Sequence, residues 1–313
     1  MLSYIARRVA LTVPTLLLVM VAVFALIHLI PGDPAQLMLG DAADDATLSQ
    51  LRQHLGLDRP LTVQFARWLL NVVHGDFGHS ITNGLPVLPL LLERIQVSGT
   101  IILAAVTLAT LIAVPAGLIA AWKQNQTVDV AIVAGATLLL SIPSFWLGLL
   151  LMLQFGLKLG WLPVVGYVPL SENFSEGLLY LLLPIATLVM IESGILTRMS
   201  RASAIDVLRL EYVTHARAKG VSESQVLRRH VFPNAFGPTL TMIGVILGNL
   251  LGGIAVLETV FTLPGIGRLL VDAIYARDYP VVQGVMLLTA LTYVFINLII
   301  DLCYPIFDPR VTT

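Results

Sequence analysis

Apolar and polar positions divide this 313-residue chain into long uncharged runs separated by polar segments. Residues 9–30, 97–122, 130–157, 238–257 and 281–300 contain no Asp, Glu, Lys or Arg, and a sixth run, 178–197, carries Glu192 toward its end. A membrane-crossing helix needs roughly 20 apolar residues at about 1.5 Å each. The pattern therefore predicts an all-α polytopic membrane protein with six transmembrane helices. Pro14, Pro115, Pro143 and Pro184 fall inside these runs, which membrane bundles tolerate because neighbouring helices satisfy the freed backbone groups. The first run follows Arg7-Arg8 as a signal peptide would. Its 22 residues exceed a signal core and lead into Pro31-Gly32-Asp33-Pro34, so it is read as a retained span.

Three polar segments are expected on the outer side. Residues 31–96 read as a small helical insertion: His54-Leu-Gly-Leu-Asp-Arg-Pro60 ends a helix and turns, 61–73 has apolar residues at helical spacing around Trp68, and Gly75-Asp-Phe-Gly78 turns again. Residues 161–176 form a loop. Residues 258–280 hold a tight turn at Leu263-Pro-Gly-Ile-Gly267 and then a short helix over 268–276.

The segment 210–234 is unlike a simple linker. Arg217 and Lys219 close a helix-compatible run, and Gly220 follows; cations suit the negative end of a helix dipole, and glycine suits a left-handed cap. Ser222-Glu-Ser-Gln225 fits a capping box that would start a second helix, and Pro233 ends that helix or opens the next. A helix–Gly–helix object between two spans points to docking with a soluble partner.

Composition sharpens this picture. The chain is 57% hydrophobic and 12% charged, with a mean hydropathy of +0.88, against about 25% charged residues in soluble domains. With an even number of spans both termini share a side. Placing them in the cytosol puts 11 of the 18 Lys and Arg residues on that side, including Arg7, Arg8 and the 210–234 bases, as the positive-inside rule favours. The single Cys303 permits no internal disulfide and reads as a packing residue.

No phosphate-binding Gly-x-x-x-x-Gly-Lys-Ser/Thr loop, His-Glu-x-x-His or Gly-x-Ser-x-Gly occurs, and the histidines are scattered. The chain is therefore read as neither an enzyme nor a metal or nucleic-acid binder. Glu192 fits either an ion pair with Arg198 or Arg201 or a place on a substrate route or gate. Asp301 fits a pair with a nearby base. Gly248-Asn-Leu-Leu-Gly-Gly253 combines small residues with an amide. Such a stripe lets helices approach closely. Asn249 then reads as helix glue or as a pathway residue, and Gly248, Gly252 and Gly253 as an interface with a second membrane subunit.

Glu211-Tyr-Val-Thr-His-Ala-Arg-Ala-Lys-Gly220 followed by Arg229-His-Val-Phe-Pro-Asn234 resembles the EAA signature of permease subunits of binding-protein-dependent ABC importers, and more narrowly the B-type permease of dipeptide and oligopeptide systems. Tyr4-Ile-Ala-Arg-Arg8, Ile30-Pro-Gly-Asp-Pro-Ala35, Leu55-Gly-Leu-Asp-Arg-Pro60, Gly75-Asp-Phe-Gly78, Leu257-Glu-Thr-Val-Phe261, Pro264-Gly-Ile-Gly267 and Asp308-Pro-Arg310 agree in order along nearly the whole chain. Aligned on Gly220, the family's Glu-Ala-Ala falls on Thr214, His215 and Ala216, and its Ile-x-Leu-Pro on His230 to Pro233; only Ala216, Gly220 and Pro233 match.

The resemblance implies a type I importer permease fold forming a single transmembrane domain, with a coupling loop at 203–234. It implies ATPase-coupling roles for Glu211, Tyr212, Thr214, His215, Ala216, Arg217, Ala218, Lys219, Gly220 and Pro233. It also implies a bacterial inner-membrane location, a second permease subunit, two ATP-binding subunits and an extracytoplasmic solute-binding protein. No cofactor belongs to this chain; ATP and Mg would sit on the partners. Dipeptides or oligopeptides are the expected solute. The alternatives are a nickel or glutathione importer, or an ATP-independent secondary transporter.

Overall fold

The computed structural model describes residues 2–29, 36, 44–55 and 57–307. The expectations placed on 30–35, Gly56 and 308–310 lie outside them. Among the described residues the fold is helical, with no strand beyond an isolated bridge between His79 and Pro86. In chain order the helices are α1 (Leu2–Leu29), α2 (Asp45–Leu55), α3 (Leu61–Val73), α4 (Val87–Trp122), α5 (Thr127–Ser141), α6 (Ser144–Leu151), α7 (Phe174–Leu208), α8 (Glu211–Ala218), α9 (Glu223–Gln225), α10 (Phe232–Gly253), α11 (Ala255–Val260), α12 (Ile266–Tyr275) and α13 (Tyr279–Phe307).

Helices α1, α4, α7, α10 with its lead-in, and α13 are long and apolar enough to cross a membrane. The run at 130–157, interrupted by Pro143, is not a single rod. It is split into α5 and a second arm, α6 with its continuation to Lys158, bent by 98°. Pro143 is the cause. It has no N–H to continue the ladder, and it pushes Ile142 into the extended region (φ −94°, ψ 125°). Straight, those 28 residues would reach about 42 Å, well beyond a hydrocarbon core of about 30 Å. Counted as one span, the bent pair makes six.

The core lies between α4 and α7, around fully buried Ile101, Leu181 and Leu196, and extends to Ile254 and Leu263. Small residues set the approach of the helices. A Cβ on Gly117 would stand 2.7 Å from the Ser200 Cβ and 2.8 Å from the Thr197 carbonyl; one on Gly194 would stand 2.7 Å from the Ala136 carbonyl. Close backbone approach of this kind drives helix association where water cannot.

The end opposite α8 is tied together by two buried carboxylates. Glu258 of α11 is fully buried. It accepts from the Ser98 hydroxyl of α4 and, at 2.9 Å, from the Arg268 N–H, while Ser98 accepts from the Ile266 N–H at 2.8 Å. A carboxylate at a helix N-terminus satisfies donors that have no intrahelical partner. Accordingly α12 begins at Ile266, two residues earlier than its sequence pattern suggests. Asp278, just before α13, accepts from the Ser80 and Thr82 hydroxyls and from the N–H groups of Ile81 (3.1 Å) and Thr82 (3.3 Å). Burial alone would raise the Asp278 carboxyl, but these donors outweigh it and hold it below the usual carboxylate range.

Candidate functional site

Helix α8 stands on a small apolar platform. Val213 is fully buried and Ala216 nearly so, packed with Val226 and Val231 below, Ala204, Ile205 and Val207 from α7, Ala121 from α4, and Ala235 from α10. Residues 213 and 216 are three apart and share one face. The other positions, Glu211, Tyr212, Thr214, His215, Arg217, Ala218 and Lys219, are exposed.

The exit of α8 has a defined hydrogen-bond pattern. Gly220 adopts φ 78°; its N–H donates to the Arg217 carbonyl at 2.9 Å, and the Val221 N–H donates to the Ala216 carbonyl at 3.2 Å. This pair of bonds is the Schellman cap. Across the turn, Arg217 holds Glu223 with both arms of its guanidinium, Nε at 2.8 Å and Nη2 at 3.1 Å. The Tyr212 hydroxyl donates to the His230 carbonyl at 3.2 Å, and the Asn234 amide donates to the same oxygen at 2.8 Å. An exposed ion pair contributes only about 0–1 kcal/mol. The angle is therefore fixed mainly by Gly220 and the buried valines.

The expected capping box at Ser222 does not form. The Ser222 side chain makes no cap bond, because the Gln225 N–H is already satisfied by the Ser222 backbone carbonyl at 2.9 Å. The second helix is correspondingly short. It passes into a wider π-turn over Val226–Val231, and Pro233 then lies in the first turn of α10. A proline lacks the N–H of an ordinary helical residue and crowds the carbonyl four residues earlier, so a widened ladder before it relieves both problems.

Above this platform Arg201 of α7 grips Asp129 at the start of α5, with Nε at 2.5 Å and Nη2 at 2.7 Å, and Asp129 also accepts from the Asn125 N–H at 2.9 Å. Arg201 is therefore not the partner of Glu192. Helix α7 begins four residues before the apolar stretch and runs eleven residues beyond it, so Glu192 lies toward the end of that stretch but near the middle of the helix. It is 7% exposed, one turn from the buried Leu188 and Leu196, and makes no ion pair among the described residues. Asp301 does pair with a base, Arg8 of α1, at 3.2 Å.

The glycine-rich end of α10 divides. Gly248 faces the Tyr293 ring of α13, where an added Cβ would stand 2.0 Å away. Asn249 and Gly252 are exposed and line, with Gly248, a largely apolar cavity of about 540 Å³ between α10, α12 and α13. Gly253 is exposed, and neither it nor Glu192 is among the residues that line the cavity. Sequence reasoning missed Asp129, Glu258 and Asp278 as anchors. Their partners lie far along the chain and no local motif marks them.

A six-run helical bundle with a capped, exposed helix at one end now has known counterparts. The sequence profile described as "Binding-protein-dependent transport system inner membrane component" matches residues 113–313, and its N-terminal companion matches residues 1–101. The chain belongs to this permease family. Members named as peptide transport system permeases include one from Brucella suis biovar 1 (strain 1330), 42% identical over 99% of both chains, and one from Sinorhizobium fredii (strain NBRC 101917 / NGR234), 39% identical over 98% of both. The glutathione transport system permease protein GsiC of Pectobacterium atrosepticum is 41% identical over 99% of both. Among solved structures, the inward-facing MetNI methionine ABC transporter matches 70% of this permease and 96% of its own chain, with a TM-score of 0.57 at 17% identity. That likeness supports the type I importer permease fold. Membership makes this a multi-pass inner-membrane transport component that works with ATPase and binding-protein partners.

Proposed function

We propose that this permease forms half of the translocation pathway of an ATP-driven peptide importer and is driven through α8. The observation that carries the reading is the geometry of α8. It is a short helix with a buried apolar base at Val213 and Ala216, a capped exit at Gly220 and an exposed outer face. Such a helix transmits force as a rigid body. The exposed bases around it, Arg209, Arg217, Lys219, Arg228 and Arg229, suit a partner groove with an acidic rim.

In this reading both termini are cytosolic, a second, different permease completes the pathway, and two ATP-binding subunits receive one coupling helix from each permease. A solute-binding protein delivers peptide to the outer face. Closure of the ATPases on ATP moves α8, and the bundle opens alternately outward and inward. The peptide assignment follows the names of the relatives that match over nearly the whole chain. The glutathione-named relative supports a second reading, a tripeptide solute.

The test is binding-protein-dependent uptake into proteoliposomes carrying both permeases and the ATPases. The solutes are dipeptides, longer peptides, glutathione and a nickel chelate. Peptide uptake that requires ATP supports the proposal. ATP-independent uptake by this chain under a solute gradient overturns it.

A further inference from the structure

We infer that α3 is an interfacial helix, lying along the phospholipid surface at the end of the bundle opposite α8. No residue of α3 is buried, although it is strongly amphipathic. Among the described residues its aromatic attachment to the bundle is to α1. Phe65 and Trp68 stack around Phe24 of α1, with ring centroids 5.3 and 5.8 Å from it. Phe24 lies in the outer half of the uncharged run 9–30 that α1 carries, six residues before Ile30. The docking therefore holds α3 toward the outer end of the span, at the depth of about 5–10 Å to which an interfacial helix sinks its apolar face and near the zone where tryptophan is favoured.

The helix carries three faces at about 100° per residue. Phe65, Trp68 and Val72 face α1. Turning one way, Gln64, Arg67 and Asn71 form a polar arc. Turning the other way, Leu69, Val73, Ala66, Leu70 and Val63 form an apolar arc interrupted only by Thr62 in the first turn, and Val63, Leu70 and Val73 are 37%, 59% and 71% exposed. A helix docked sideways on a span, polar above and apolar below, has the arrangement of a segment lying in the membrane plane. Arg67 borders the apolar arc, where its guanidinium reaches lipid phosphate while its stem stays among acyl chains. Helix α1 is itself apolar and exposed over Leu17, Leu18 and Val21, as a lipid-facing span is. The bilayer that covers α1 thus continues beneath α3. The choice of the outer leaflet rests on the topology proposed above; the contact with lipid does not.

The experiment uses the assembled transporter in proteoliposomes. In a Cys303→Ala background, single cysteines replacing Leu70, Asn71 and Val73 carry an environment-sensitive fluorophore. The Leu70 and Val73 labels are expected to be blue-shifted and quenched by lipids brominated about 5–10 Å below the phosphates. The Asn71 label is expected to be quenched by external iodide instead. In the unmodified transporter, a diazirine phospholipid should crosslink within 61–73. Equal iodide quenching of all three labels overturns the inference. So does shielding of the Leu70 label only when the solute-binding protein is added, or absence of crosslinks in 61–73. Peptide uptake is read separately, so its failure does not imitate any of these results.

Discussion

Arg201 and Asp129 form a two-pronged ion pair across 72 residues of sequence, with the Asp129 side chain only 4% exposed. The pair fastens the corner before α5 to the inner end of α7, directly above the platform that carries α8. Breaking a buried pair by removing one partner typically costs about 3–5 kcal/mol. Arg201 is a quarter exposed and water can take up its charge, so Asp129→Ala should cost less than that range, about 1–3 kcal/mol. Thermal unfolding of the purified permease measures it. The swap Asp129→Arg with Arg201→Asp should recover part of the loss, and no recovery would mean that the two act independently.

Gly220 isolates backbone geometry from packing. An added Cβ meets nothing within 4 Å, yet φ is 78°. A valine there should cost about 1–2 kcal/mol through conformation alone. Gly220→Val is expected to insert normally while uptake and solute-stimulated ATP hydrolysis fall together. Gly220→Asn, which tolerates the left-handed region better, should keep most of both. Equal activity of the valine variant would remove α8 from the coupling route.

The Asp278 anchor predicts a pH dependence. Its carboxyl is held below the ordinary value of 3.8. The folded state thus binds the proton less readily than the unfolded chain, and stability depends on pH accordingly. The stabilisation should be complete above about pH 4 and disappear as the pH falls through the lowered folded value. Asp278→Asn should lose about 1–3 kcal/mol at neutral pH, by leaving hydroxyl and N–H donors imperfectly matched. Chemical unfolding of variant and parent should converge toward acid. A constant gap across that range would contradict the assignment.

Glu192 makes a sharper test of structure against transport. It occupies a buried face between Leu188 and Leu196 without an ion pair among the described residues. Burying a polar group without compensation costs about 1–3 kcal/mol on mutational scales. Glu192→Leu should therefore raise the unfolding midpoint. A fall in uptake in the same stabilised variant would assign the carboxylate to the transport cycle. A lower midpoint would show that it has favourable partners in the native protein.

Local signals carried much of the fold. Residues 61–73 form α3 with the expected bounds because its spacing and the preceding Pro60 are local cues. Gly220 capped α8 as its neighbours indicated. The failures share a cause. Ser222 offered a capping pattern, but a backbone carbonyl took the amide first. Glu192 and Arg201 looked like partners because they are close in sequence. Asp129 won the arginine through the packing of α5 on α7, which no short window contains. The 98° bend at Pro143 was marked by the proline, but its size depends on neighbours that let the second arm fold over. The site followed the same rule: α8 was readable as a helix and a turn, while the valine platform beneath it depends on tertiary packing of α4, α7 and α10.

The Asp278 clasp has a mechanical corollary. It holds the segment that leads into α4 against the start of α13, and Glu258 fastens the hairpin between α11 and α12 to the same α4. These pieces are braced like a keystone course and travel as one block. In the alternating cycle proposed above, opening is then expected along the seams this block shares with its neighbours, not within the block itself.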